Sequence, residues 1–227
     1  MSKEGGFTLL EIVVAISIFV GVMATLSIVI INLAQIRFRE QAQADVSARS
    51  REALDLMAQD LRQAVQVRNS SIPMTNYSGD CNIGGAGATV VHNSDNTSLV
   101  IVAPSMNSVT KRAIFIGAFM QLDYIAYYTV TNPWGGHRLC RKVDAVPGTF
   151  RQDTAQMLMN NLVSPPGSSI WSYSNGVCWP ATCDQASWAQ VDFNLRYINP
   201  STGLSGFTGS TGVPEFIGSQ RFDFRNQ

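Results

Sequence analysis

From Ile12 to Ile36 the chain runs for 25 residues without a charged side chain, and one carboxylate, Glu11, stands directly in front of that run. A helix rises about 1.5 Å per residue, so the run exceeds the ~30 Å hydrocarbon core of a bilayer and reads first as a membrane-spanning helix. This length constrains the fold more than any other feature, because residues committed to lipid cannot also fill the core of a globular domain. Glu11 is the anomaly. An ionised carboxylate in a spanning helix costs on the order of 3 kcal/mol, so such a group is expected to have a partner and a role. Its place in the first helical turns gains ~0.3–1 kcal/mol from the helix macrodipole, too little to offset burial. A cation from a neighbouring chain would close the gap and fix the register of packed helices.

A secretory signal peptide has a basic start, an apolar stretch of ~7–15 residues and a small-residue cleavage site beyond it. Here a polar leader, Met1 to Gly6, comes first, and the apolar run is too long. Lys3 and Glu4 cancel while Arg37 and Arg39 flank the far end, so charge orients the helix poorly.

Beyond the apolar run, Val46, Leu54, Met57, Leu61, Ala64 and Val65 recur at helical spacings as far as Arg68, with Arg49, Arg51, Asp55, Asp60 and Arg62 in the other positions. No Pro or Gly lies between Val22 and Ile72, so one helix of about sixty residues is expected to run through both media. The stripe is short for a coiled coil and predicts a helix laid against its own sheet. Asn69 to Ser98 is rich in Asn, Ser, Gly and Thr and reads as a long irregular connection. Strands are predicted at Leu99–Ala103, Ala113–Phe119, Leu122–Val130, Arg138–Val143, Val191–Ile198 and Phe216–Phe224, separated by Pro- and Gly-rich turns that suit an antiparallel sheet. The expected fold class is α+β, one long N-terminal helix packed on an antiparallel β-domain. The expected divisions are a leader at 1–6, an apolar helix half at 7–36, an amphipathic half at 37–68, an irregular loop at 69–98 and the β-domain at 99–227.

Four cysteines, Cys81, Cys140, Cys178 and Cys183, all follow the apolar run, which suits an oxidising compartment. Three pairings are possible. Cys178–Cys183 would close a short loop around Pro180, leaving Cys81–Cys140 to tie the irregular loop to the sheet. A four-cysteine zinc site is the rival, but such sites show two close pairs of cysteines and this chain has one.

Beyond Ile36 there are 15 Lys/Arg (all 16 but Lys3) and 14 Asp/Glu (all 16 but Glu4 and Glu11), so no basic field argues for nucleic acid. His92 and His137 lack any G-x-S-x-G, H-E-x-x-H or H-x-E context, which points away from catalysis. Asp80 and Asp184 could ligate calcium in loops, although no EF-hand string accompanies them. Trp134, Trp171, Tyr173, Trp179 and Trp188 read either as a sugar- or DNA-contacting surface or as core.

The string Gly6-Phe7-Thr8-Leu9-Leu10-Glu11 ahead of an apolar helix resembles the class III signal of type IV prepilins and type II secretion pseudopilins. The resemblance implies a type IV pilin-like fold and a membrane peptidase that cuts between Gly6 and Phe7. It also implies N-methylation of Phe7 and pairing of Glu11 with the N-terminal ammonium of a neighbouring subunit. The implied partners are the prepilin peptidase, other minor and major pilins or pseudopilins, and an inner-membrane assembly platform. The implied location is the inner membrane, single-pass, and then an extracytoplasmic filament, with no cofactor. Arg49 to Val67 looks like the second half of the helix in J-type minor pseudopilins and W-type minor pilins, and Arg221 to Asn226 resembles the closing strand of such chains. Many type IV pilins carry a proline in the outer half of the apolar segment, and this chain does not. The expected function is thus a minor pilin or pseudopilin, a structural subunit near a filament tip involved in initiating assembly. The alternatives are a major pilin of the shaft or a single-pass anchored adhesin or ligand-binding domain.

Overall fold

The computed structural model describes residues 8–68, 72–75, 81–82, 89–92, 94–95, 97–131, 137–162, 170–173, 188–196 and 215–223. The chain divides into two compact units, Met1–Ala42 and Gln43–Gln227. Helix α1 (Leu9–Gln63) provides the described part of the first and opens the second, and all twelve described strands lie in the second, so the fold class is α+β.

In the first unit every side chain from Leu9 to Phe38 is exposed, on all sides of the helix. Its hydroxyls are satisfied within the helix. Ser17 donates to the Val13 carbonyl at 2.8 Å, Thr25 to Val22 at 2.8 Å and Ser27 to Met23 at 2.8 Å. A segment with apolar flanks and internally bonded hydroxyls needs no water, and it is long and apolar enough to cross a membrane.

The second unit is built on an antiparallel sheet. Its strands are β1 (Gln66–Val67), β4 (Ser98–Pro104), β7 (Leu122–Thr131), β8 (His137–Asp144), β9 (Thr154–Leu162), β10 (Trp171–Tyr173), β11 (Trp188–Arg196) and β12 (Glu215–Asp223). They run in the order β1-β4-β7-β8-β9-β11-β10, with β12 paired to β11 along its whole length. Two small hairpins stand beside it, β2 (Ile72–Thr75) with β3 (Thr89–His92), and β5 (Phe115–Ile116) with β6 (Phe119–Met120).

Both faces of the central strands are covered. Ala53, Met57 and Leu61 of α1 share a core with Leu99, Ile101, Ile125, Tyr127, Leu139, Met159 and Trp171. On the opposite face Val100, Ala126, Tyr128 and Cys140 pack with Met74, Ile72 and Cys81. Double coverage explains why Leu99-Val100-Ile101-Val102-Ala103 is continuously apolar rather than alternating.

Several boundaries differ from the sequence reading. The helix stops at Gln63 rather than Arg68, because Val65 and Arg68 donate their N–H groups to the Val102 and Val100 carbonyls, both at 2.8 Å, and turn the chain into β1. The stretch expected to be an irregular loop from 69 to 98 holds the β2–β3 hairpin, which seals the outer face of the sheet. The single strand expected at Ala113–Phe119 is instead the β5–β6 hairpin, bent at Gly117, whose φ of 64° suits a residue without a Cβ. The strand expected from Val191 begins three residues earlier, at Trp188.

Candidate assembly site and its supporting scaffold

The chemistry of the first unit is concentrated at the start of α1. Glu11 is the sole ionisable side chain from Thr8 to Ile36. Thr8 donates its backbone N–H to Glu11 Oε2 at 2.9 Å and its hydroxyl to the same oxygen at 3.1 Å, while the Glu11 N–H reaches back to Thr8 Oγ1 at 3.3 Å. This reciprocal arrangement is a capping box, with Thr8 at the cap and Glu11 three residues in. Glu11 therefore has a local partner that the charge argument alone missed. The legible signal was Thr-x-x-Glu immediately before an apolar run. All three bonds use Oε2 or the Thr8 hydroxyl, so Oε1 meets no donor among the described residues. One carboxylate can thus close the helix end and still present an anionic face to a cation. Gly6 and Phe7, the expected cleavage and methylation positions, lie outside the described residues.

Among the described residues no three His, Cys, Asp or Glu side chains converge as a metal site would require. His92 and His137 lie apart, at the end of β3 and the start of β8. His92 is buried with its ring 4.5 Å from that of Tyr128, and burial, with the nearby Lys142 charge, pushes its pKa down to about 4. It is a neutral core histidine at ordinary pH. Asp80 and Asp184 lie outside the described residues, as do Trp134 and Trp179. Trp171 and Tyr173 are core residues, and half-buried Trp188 is stacked by Arg221 at 4.5 Å, so these three do not form an open aromatic surface.

Cys81 and Cys140 form a disulfide across a sequence separation of 59. It joins the segment after β2 to the middle of β8, and the Tyr128 hydroxyl donates to the Cys81 carbonyl at 2.7 Å beside it. The other expected bridge, Cys178–Cys183, lies outside the described residues.

Two buried polar clusters fasten the helix to the sheet. Asp60 was expected on the solvent side of the stripe, yet it is buried. Arg141 clamps it through Nε at 2.6 Å and Nη2 at 3.1 Å, and the Tyr127 hydroxyl donates to it as well. A carboxylate on the sheet-facing side is tolerated because its charge is matched there. Burial, together with the charge and hydrogen bond of Asp60, holds the Tyr127 pKa well above the ordinary phenol value. At the end of the helix, fully buried Asp123 accepts from Ser105 Oγ at 2.6 Å, Val146 N at 3.0 Å, Thr149 Oγ1 at 3.0 Å and Arg151 Nη1 at 2.8 Å. Arg151 in turn donates to the Pro104 carbonyl at 2.8 Å and to Gln63, the last residue of α1.

No protein-family model matches this chain, and no match was found among curated proteins or solved structures.

Proposed function

We propose that this chain is a minor pilin or pseudopilin of the type IV pilin-like fold, a structural subunit without catalytic chemistry. The observation that carries the reading is the position of Glu11: one carboxylate in the first turn of a helix that is otherwise apolar and exposed around its whole circumference. A permanent single-pass anchor gains from that carboxylate only the local cap at Thr8, whereas a helix destined to pack among copies of similar helices gains an ion pair and a fixed register as well. The leader through Gly6 is removed by a prepilin peptidase, Phe7 becomes the methylated N-terminus, and Glu11 pairs with the terminal ammonium of an adjacent subunit. The protein waits in the inner membrane, and an assembly platform then draws it into an extracytoplasmic filament of a type IV pilus or type II secretion pseudopilus with other pilins. The large second unit and the J- or W-like Arg49–Val67 segment favour a scarce subunit at or near the tip that initiates assembly.

The test is mass spectrometry of sheared filaments, reporting the N-terminus and copy number together, in wild type and Glu11→Val. The expected result is a low-abundance chain starting at methylated Phe7, with the variant retained in the membrane and depleted from filaments by at least about tenfold. A mature chain retaining Met1 to Gly6, or equal recovery of the variant, would sink the reading. Abundance above all other filament proteins would instead make it a major pilin.

A further inference from the structure

Among the described residues of the second unit, a cluster of apolar side chains is exposed at the β5–β6 hairpin. Phe115 is 59% exposed, Ile116 65%, Phe119 78% and Met120 38%. Phe115 pairs with Met120 and Ile116 with Phe119 across the hairpin. Successive residues of a strand point to opposite sides, so one face carries Phe115 and Met120 and the other Ile116 and Phe119. Both faces of this hairpin are therefore apolar and uncovered. Beside it the 107–111 turn is fixed by Asn107, whose side chain accepts from the Val109 and Thr110 N–H groups, both at 2.9 Å, and it displays Val109 at 84% exposure. From Pro104 to Gln121 the charged residues are Lys111 and Arg112, both exposed, with no carboxylate.

The hairpin is built on a rigid base. Ser105 and Gln121 are joined at 2.9 Å, Ile114 donates to the Ser105 carbonyl at 2.8 Å, and Gln121 donates to the Ile114 carbonyl at 2.8 Å. Ser105 is held by Asp123, which Arg151 links to Gln63. About 30 Å of helical rise separates Gln43, where α1 enters this unit, from Gln63. The hairpin thus stands at the end of the unit where the helix stops, opposite the chain's point of entry.

We propose that the β5–β6 hairpin inserts into the interface of an anionic bilayer. A flat protein surface would cover only one face of the hairpin, whereas a lipid interface covers both at once. Lys111 and Arg112 then lie at headgroup level, where an anionic surface attracts them. This inference rests on the second unit alone and does not depend on processing or filament entry.

The experiment places the full-length chain in phosphatidylcholine nanodiscs and floats them with vesicles of phosphatidylcholine alone or mixed with phosphatidylglycerol. Wild-type discs should float with the anionic vesicles, and the Ile116→Ser/Phe119→Ser double variant should lose at least about tenfold of that recovery. Lys111→Ala/Arg112→Ala should erase the preference for anionic over neutral vesicles. Because all four side chains are exposed, the variants should keep the Cys81–Cys140 bridge on non-reducing peptide mapping, which reports that the fold is intact. If wild type and the double variant float alike, or neither floats, the proposal fails. It also fails if a photoreactive phenylalanine analogue at position 119 crosslinks in cells to a protein rather than to lipid, the outcome expected of a groove-bearing protein partner. Glu11→Val should leave flotation unchanged, which separates this test from that of the assembly reading.

Discussion

The two stretches of α1 meet opposite demands. From Leu9 to Phe38 no side chain is covered by the rest of the chain, and the hydrogen bonds recorded there are local. From Ser50 to Ala64 one stripe is covered and includes two polar residues, Ser50 and Asp60. The first stretch derives its stability from propensity, its cap and whatever medium surrounds it. The second derives it from packing on the sheet, which matches Asp60 through Arg141 and Tyr127, while Ser50 donates to the Val46 carbonyl of its own helix. A helix can therefore carry a carboxylate in either setting, met by the Thr8 cap of the helix itself in one and by Arg141 of the sheet in the other. Substitutions on the domain side should lower the stability of the second unit while leaving hydrogen exchange of residues 9–38 unchanged, and substitutions at the cap should do the reverse.

The largest effect is expected at Asp123. Replacing it with alanine strands the Arg151 guanidinium, whose side chain is 4% exposed, together with three other donors. Removing one partner of a buried ion pair costs roughly 3–5 kcal/mol. Urea unfolding of the full chain in detergent, followed by aromatic circular dichroism, should show that loss. A shift near zero would mean that the helix end is not fastened through this cluster.

Next comes the disulfide. Cys140→Ser removes a crosslink spanning 59 positions, for which roughly 2–4 kcal/mol is expected. The damage should concentrate on the outer face, so β2–β3 amides should lose exchange protection before those of β4 or β7. Uniform loss across the sheet would contradict the layered arrangement of Met74, Cys81 and Tyr128.

The pH dependence is smaller. The folded pKa of His92 is about 4 against an ordinary 6.5, so the unfolded chain takes up a proton more readily between those values. The contribution of neutral His92 is fully present above pH 6.5 and is lost as pH falls through that window towards 4. After allowance for screening, the loss should be about 2 kcal/mol. His92→Phe should flatten the urea midpoint between those limits, and an unchanged slope would show that another group titrates there.

How much of this was legible beforehand depended on whether local pattern and tertiary environment agreed. Leu99–Ala103, Leu122–Val130 and Arg138–Val143 are β-branched and aromatic, and all three lie in strands of the sheet. β9, with Gln156, Met157, Met159 and Asn160, looks unlike a strand. Its register also slips against β8 between His137 and Cys140, which breaks the alternation that a sequence pattern would show. Asp60 was misread because the pairing that makes its burial tolerable comes from Arg141, 81 residues away. The β2–β3 hairpin was hidden by Pro73 and by the Gly-rich linker between its strands. At the candidate site, charge and hydropathy single out Glu11. Its local bond to Thr8 follows from the Thr-x-x-Glu spacing, whereas the charge argument, which weighs only the cost of a carboxylate in lipid, does not contain it.

The smallest effect separates the two roles of that carboxylate. Thr8→Val removes the hydroxyl that both donates to Glu11 and accepts from its N–H, and a lost cap costs ~1 kcal/mol. Since ~1.4 kcal/mol is a tenfold change in an equilibrium, exchange of the first helical amides should quicken by about fivefold in detergent. Urea unfolding of the second unit should not move. Under the proposed assembly function, Glu11 keeps its charge in this variant, so filament entry should fall far less than in Glu11→Val. Equal depletion of the two variants from sheared filaments would show that the intact capping box, rather than the charge itself, is what assembly requires.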